Sequence, residues 1–364
     1  MNVAIVYGTR PEAIKLAPLI SSLKDEGVQV TVINSGQHDS LMPDVMSLFS
    51  VEDNYDLKAL RPRQQLGDLF GRLVKDLTLT YGSAHPNMVV VQGDTMTATA
   101  GALTAFYLGI PVAHVEAGLR TYRLDSPFPE EANRRVIGSI AKWNFAPSEQ
   151  ARRNLISEHA PGDIFMTGNT VVDALHIISS KVEGARCSEP KRVVATIHRR
   201  ENFPYLEGIF RGLARVAESG AEVILPVHAN PVVQKAARRW LSASSVQMIE
   251  PMDYLPWVGL LKTAHLIITD SGGLQEEAPV LGIPLLIVRQ DTERPEVVDE
   301  GYGYLVGVRE DDIFAMAMGA LSGTMPFRQG SPYGDGTASR QIVAILTQDA
   351  GSDAYKTPQA SGGM

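Results

Sequence analysis

One cysteine, Cys187, occurs in the whole chain, which excludes an intrachain disulfide and a cysteine zinc cluster and agrees with a reducing compartment. Long apolar runs are missing too. No stretch reaches the roughly eighteen apolar residues of a membrane span, and the opening MNVAIVYGTR enters a predicted strand without a basic region or cleavage site. A cytoplasmic location, with no membrane partner, is the expectation. Positive charge is short: 33 Lys and Arg stand against 41 Asp and Glu, a formal net charge of -8. That balance argues against generic binding to nucleic acid or anionic membranes. Two nucleotide signatures are absent as well. Gly8-Thr9-Arg10-Pro11 follows the first strand where a dinucleotide fingerprint would place G-x-G-x-x-G, and no P-loop occurs. Nor is there a repeat of solenoid period.

What is present is an ordinary globular composition, 44% apolar and 20% charged over 364 residues, enough for two domains with real cores. Short apolar strands alternate with helical patterns, as in βαβ units that build parallel sheets covered on both faces. A first series of strands is predicted at 3–7, 28–33, 88–91, 112–114 and 143–146. After the connection at 169–175, a second follows at 192–196, 222–226, 246–249, 265–269 and 285–288. The α/β fold class this implies is two doubly wound domains facing each other, with ligands in the cleft at the carboxyl ends of their strands. Residues 1–168 and 169–333 are the expected domains, and 347–364, polar and rich in small residues, reads as a mobile tail.

The stretch Asp270-Ser271-Gly272-Gly273 ends an apolar strand and opens a segment with helical spacing. Glycines there let backbone approach a ligand, and the first-turn N–H groups with the helix dipole favour a phosphate or diphosphate. Glu276 and Glu277 follow, placed to accept hydrogen bonds from a ribose diol. Helix capping by Asp270 or Ser271 explains the same residues, apart from the second glycine, so local chemistry leaves both readings open.

Nearly every other strand exit also carries polar chemistry. Arg10 and Lys15 follow the first strand, and Gln92-Gly93-Asp94-Thr95 follows the one ending at Val91. Glu116 to Arg120 and then the run SPFPEEANR, with Glu130 and Glu131, come after 112–114. In the second half, His198-Arg199-Arg200-Glu201-Asn202 and Pro226-Val227-His228 hold equivalent places. Singly, each has a structural explanation as a cap, a turn or a satisfied histidine. Jointly, three carboxylates and two histidines converging on a diphosphate site point to catalysis.

The ordered motifs GTRPEAIKLAPL, QGDTMTATA, HVEAGLRT, SPFPEEANR, TGNTVVDAL, HRREN, PVHANP, DSGGLQEEAP, TERPE and SPYGDGTAS closely resemble those of the non-hydrolysing UDP-N-acetylglucosamine 2-epimerases, over about residues 3–346. The resemblance implies a glycosyltransferase-B type fold of two Rossmann-like domains, with the segment 334–346 forming a helix that returns to the first. It further implies a homodimer that interconverts UDP-GlcNAc and UDP-ManNAc without nicotinamide cofactor or required metal. Carried over motif by motif, the catalytic groups fall on Asp94, Glu116, Glu130 and His198, with Arg10 and Lys15 near the diphosphate and sugar. Contacts to UDP fall on Ser271, Gly272 and Gly273 for phosphate, Glu277 for ribose, Arg294 for charge and the backbone around Trp257 for uracil. His228 lies in a further motif of the cleft. In bacterial members a second UDP-GlcNAc can bind and activate; the matching residues are Gln37, His38, Arg63 and Gln64, with Ser40 replacing a glutamine. Gln92, Ala229 and Tyr302 also depart from the common pattern, and none is a proposed catalytic group.

The chemistry implied accounts for the acidic set. The C2 proton of the sugar is not adjacent to a carbonyl, so a carboxylate cannot remove it from the ground state. Loss of UDP from C1 first would create oxocarbenium character that acidifies C2, and nearby carboxylates stabilise that charge. Inversion needs a proton delivered to the opposite face, hence acid/base groups on two sides, drawn from Asp94, Glu116 and Glu130; His198 is expected to partner the phosphate or sugar. Domain closure near 167–170 on UDP binding would keep water out. A hydrolysing epimerase, a glycosyltransferase and a non-catalytic UDP-sugar sensor are the rival readings, the last disfavoured by the intact acidic set.

Overall fold

Both faces of a parallel sheet are covered by helices, so every side chain of an inner strand is buried and the strand reads as an unbroken apolar run. NVAIVY, MVVVQ and VAHV are buried over their whole length and apolar but for Asn2, Gln92 and His114. The computed structural model describes residues 1–37, 42–61, 64–125 and 127–352. It divides into two compact units: Met1–Ala174 together with the chain from Tyr333 onward, and Leu175–Pro332.

The first unit begins β1 (Asn2–Tyr7), α1 (Arg10–Asp25), β2 (Gln29–Asn34), α2 (Met42–Leu48), β3 (Tyr55–Asp56), α3 (Leu66–Ala84) and β4 (Met88–Gln92). It continues α4 (Met96–Tyr107), β5 (Val112–Val115), α5 (Glu130–Gly138), β6 (Trp143–Ala146), α6 (Glu149–Ser157) and β7 (Asp163–Met166). The seven strands pair in parallel in the order β3-β2-β1-β4-β5-β6-β7. The order reverses beside β1, at the switch point where such sheets bind ligands beyond the strand ends. α3 presents Leu69, Leu73, Leu77 and Tyr81, spaced by one turn, to the core formed with Val89 and Val91.

α7 (Thr170–Ser179) carries the chain out of this unit. The second unit holds β8 (Arg192–Thr196), a 3-10 turn (Arg200–Tyr205), α8 (Leu206–Glu218), β9 (Glu222–Pro226), α9 (Pro231–Leu241), β10 (Gln247–Ile249) and α10 (Tyr254–Lys262). It ends with β11 (Leu266–Thr269), α11 (Gly272–Val280), β12 (Leu285–Ile287), α12 (Pro295–Asp299), β13 (Gly303–Leu305) and α13 (Glu310–Leu321). Its six strands are also parallel, in the order β10-β9-β8-β11-β12-β13. α8 buries Leu206, Ile209, Phe210, Leu213 and Val216 as one stripe against this sheet. Each such large side chain contributes about 1.5–3 kcal/mol on burial.

The last helix, α14 (Ala338–Ser352), packs on α1 in the first unit, burying Ala338, Ile342, Val343 and Leu346. It runs past residue 346, where the sequence suggests its end. Thr347 continues the helix, its hydroxyl donating to the Val343 carbonyl at 2.8 Å, so 347–352 are helical rather than tail. The remainder of the expected tail lies outside the described residues. Among the described residues, no helix is long and apolar enough to cross a membrane, and no group of three or more His, Cys, Asp or Glu is arranged to hold a metal ion.

Candidate active site

In the first unit the candidate groups sit at the carboxyl ends of β1, β4 and β5. Glu116 follows β5 directly and adopts a left-handed backbone, φ 63°, which costs a residue with a Cβ about 1 kcal/mol or more. Its side chain is buried, and its Oε2 accepts from three elements at once. Lys15 of α1 forms a short ion pair with it, Gln92 Nε2 at the end of β4 lies 2.9 Å away, and Asn169 Nδ2 lies 3.1 Å away. Such strain and convergence belong to a preorganised site.

Asp94, in the β4–α4 turn, is half-buried and ion-paired through Oδ2 with Arg134 of α5, at 2.8 Å to Nε and 2.7 Å to Nη2. Asn133 Nδ2 donates to the Asp94 carbonyl at 2.8 Å. The two adjacent glutamates of SPFPEEANR part company here. Glu131 is fully buried and accepts from the Thr121 and Tyr122 amides and from Arg134 and Arg135, so it organises the loop. Glu130, first residue of α5 and half-buried, is the one left nearer the surface. Behind Asp94, the buried His114 ring donates from Nε2 to the Gly93 carbonyl at 2.7 Å; burial lowers its pKa to about 4, so the ring is neutral.

Glu12 is a group that motif reading passed over. As third residue of α1 it completes a capping box with Thr9. Its Oε2 accepts from the Gly8 and Thr9 amides and the Thr9 hydroxyl, at 2.8–3.0 Å, while Oε1 accepts from Thr95 Oγ1 at 2.6 Å. It thereby ties the turn bearing Arg10 to the turn bearing Asp94. Complete burial pushes its carboxyl up to about 7, against the pull of those hydrogen bonds. The folded state holds the proton to about pH 7 whereas the unfolded chain releases it near 4.5, so this group weakens the fold as pH rises between those values. His114 slopes the other way, costing stability as pH falls from 6.5 towards 4. Glu12→Gln is therefore expected to gain on wild type by roughly 2 kcal/mol between about pH 5 and pH 7.5 in urea unfolding curves. A difference that stays flat across that range would show that Glu12 titrates normally.

In the second unit, β11 leads through Asp270 and Ser271 into α11 as the sequence indicates. Neither residue caps the helix by the expected side-chain hydrogen bond. Asp270 is fully buried and turns instead to the loop after β8, accepting from the His198 and Arg199 amides and Asn202 Nδ2 at 2.9–3.0 Å, with His198 Nδ1 at 3.2 Å. This removes the simplest capping account and leaves the first turn of α11 for another acceptor. Burial lowers the His198 pKa, with Asp270 opposing. The His198 ring stacks on the exposed His228 ring, centroids 5.6 Å apart, because β8 and β9 are sheet neighbours.

Arginines gather at the same helix start. A Cβ added to Gly272 would lie 2.7 Å from Arg294 Nη1 and 3.1 Å from Arg199 Nη2, so only glycine admits those guanidinium groups so near the backbone. Arg294 is buried and pairs with Glu276, at 2.8 Å to Nε and 2.7 Å to Nη2, and with Glu293 at 2.6 Å. Glu293 also meets Arg289 at 2.5 Å and Arg199 at 3.6 Å. Burial opposes its ionisation, but Arg294, Arg289 and Arg199 together hold the carboxyl well below the usual range. Glu277 is buried with Tyr254 Oη at 3.2 Å. Trp257 lies half-buried on α10, and Ser271 and Gly273 line the turn.

Of the remaining sequence-derived candidates, Arg10 and Lys15 stand on α1. Gln37 Oε1 accepts from Thr97 at 2.8 Å, and Gln64 Oε1 from Arg72 at 3.2 Å. His38 and Arg63 lie outside the described residues, as does Ser40. Glu12, His114, Arg134, Asn169 and Glu293 carry no assignment in the sequence reading, although all five stand inside the quoted motifs, and Asp270 figures there only as a capping candidate. Their signal was charge or amide chemistry within otherwise apolar stretches.

Two successive parallel α/β sheets, one ending in fixed carboxylates and the other in a glycine-led helix start ringed by guanidinium groups, give the chain a fold of the glycosyltransferase-B type. A glycotransferase of kitacinnamycin, 13% identical over 95% of this chain and 98% of its own, aligns with a TM-score of 0.60 and shares the fold. The chain belongs to the UDP-N-acetylglucosamine 2-epimerase family, whose sequence model matches residues 21–347, and it is an epimerase. The UDP-N-acetylglucosamine 2-epimerase of Salmonella typhimurium is 42% identical over 95% of this chain and 98% of its own length. The crystal structure of the Neisseria meningitidis UDP-GlcNAc 2-epimerase, bound to UDP-GlcNAc, is 39% identical over 96% and 100% of the two chains, with a TM-score of 0.90.

Proposed function

We propose that this epimerase interconverts UDP-GlcNAc and UDP-ManNAc without net hydrolysis, by eliminating UDP and adding it back. The observation that carries the reading is the cluster at Glu116: a strained, buried carboxylate held on one oxygen by Lys15, Gln92 and Asn169, on the strand next to the one that delivers Asp94. Surface solvation requires no such arrangement.

In the forward direction the C1–O bond breaks, its electron pair leaving with UDP. The first turn of α11, with Arg294 and Arg199 beside it, stabilises the departing diphosphate. A carboxylate of the set Asp94, Glu116 and Glu130 then takes the C2 proton, and the C–H electron pair forms the C1–C2 double bond of 2-acetamidoglucal. Protonation of C2 from the other face by a second member of the set, with return of UDP oxygen to C1, completes inversion. Lys15 and Arg134 hold the side chains of Glu116 and Asp94 in position through their ion pairs.

Incubation with UDP-GlcNAc in deuterated water, followed by NMR, tests the reading. The expected product is a mixture of both UDP-sugars carrying deuterium at C2. Accumulation of free ManNAc and UDP would replace this reading with hydrolysis, and turnover only with an added acceptor would replace it with sugar transfer.

A further inference from the structure

Asn169 has no role in the chemistry above, yet it is almost fully buried and every part of it is engaged. Its Nδ2 donates to Glu116 Oε2 at 3.1 Å. Its Oδ1 accepts from the Val171 amide at 3.1 Å, in the manner of a helix N-cap, and so orients the side chain. Its own amide donates to the Tyr333 carbonyl at 2.8 Å. Gly168 before it has φ 85°, and a Cβ there would meet the Tyr333 carbonyl oxygen at 2.6 Å. The backbone of 168–169 is thus seated against the segment on which the chain re-enters the first unit, and the amide is aimed from that seat at one carboxylate oxygen.

We propose that Asn169 is a positioning residue for the epimerisation: it fixes the rotation of the Glu116 carboxylate, and so the oxygen offered to the C2 proton. The inference rests on Glu116 acting as an acid/base group. Lys15 supplies the charge at Oε2 but on a flexible four-carbon stem, whereas Gln92 and Asn169 supply direction. Gln92 approaches from β4; Asn169 approaches from the loop after β7, so removing it leaves the carboxylate free to turn away from that side. Small errors of angle in a reacting group cost rate rather than substrate affinity.

Two variants test this. Asn169→Ala removes the donor and the cap. Asn169→Asp keeps the acceptor for the Val171 amide, protecting the fold, but sets a second carboxyl group against Glu116. The expected result is a fall in kcat of about 10- to 100-fold for the alanine variant with KM for UDP-GlcNAc changed by less than about threefold. For the aspartate variant the acidic limb of the kcat–pH profile should also move up by about one unit or more, because two carboxyls share a site. A purely structural residue would move stability and not that limb. If the aspartate variant folds and keeps wild-type kcat and pH profile while Glu116→Gln is inactive, Asn169 does not position the carboxylate. If Glu116→Gln itself turns over normally, the underlying assignment fails and this inference falls with it.

Discussion

Glu116→Gln should lower kcat for epimerisation by about 100- to 10,000-fold while leaving the protein folded and able to bind UDP. The amide oxygen of glutamine can still accept from Lys15, Gln92 and Asn169, which now converge on Oε2. The left-handed backbone at residue 116 strains glutamine no more than glutamate. What the amide cannot do is take a proton from carbon. Loss of C2 deuteration with UDP affinity preserved by calorimetry is the expected pair of results. A variant rate within about threefold of wild type would take Glu116 out of the mechanism.

Arg294→Ala is expected to reduce the free energy of unfolding by about 3–5 kcal/mol in urea titrations. The guanidinium is buried between Glu276, which is wholly inaccessible, and Glu293. Glu293 keeps Arg289 when Arg294 is lost, but Glu276 loses two charge-assisted contacts in a low-dielectric setting. Removing one partner from a buried pair costs far more than the pair itself contributes. A loss below about 1 kcal/mol would mean that water reaches Glu276 and that the buried network is looser than its geometry indicates. UDP binding should weaken in the same variant, since Arg294 also stands over Gly272 at the start of α11.

The strands that sequence reading missed are β3, β7 and β13, and each is an edge strand. Edges pack on fewer sides: of Asp163–Met166 the two end residues are exposed and the two between them only half-buried, so no long apolar run announces the strand. The inner strands were legible because burial on both faces makes them mostly apolar, with few polar residues such as Gln92 and His114 among them. Among the candidate residues, the DSGG turn was legible as an anion site or a cap; the structure adds that Asp270 spends its side chain on the loop after β8 and makes no capping hydrogen bond. Local chemistry gives no choice within the pair Glu130-Glu131, and only the resemblance points to Glu130; the structure shows Glu131 as the fully buried loop anchor and Glu130 as a half-buried residue beside it.

Sequence by itself determined the parallel α/β class, the two series of strands and the polar residues delivered at their ends, because those follow from period and burial along a continuous chain. Tertiary structure alone decided which polar groups share a partner. Lys15, Gln92 and Asn169 are spread over more than a hundred and fifty positions yet meet at one oxygen of Glu116, and Glu12 reaches Thr95 across two turns. The ionisation of Glu12, His114 and Glu293 was decided there too, since desolvation and neighbouring charge are properties of the packed interior and of no residue taken singly.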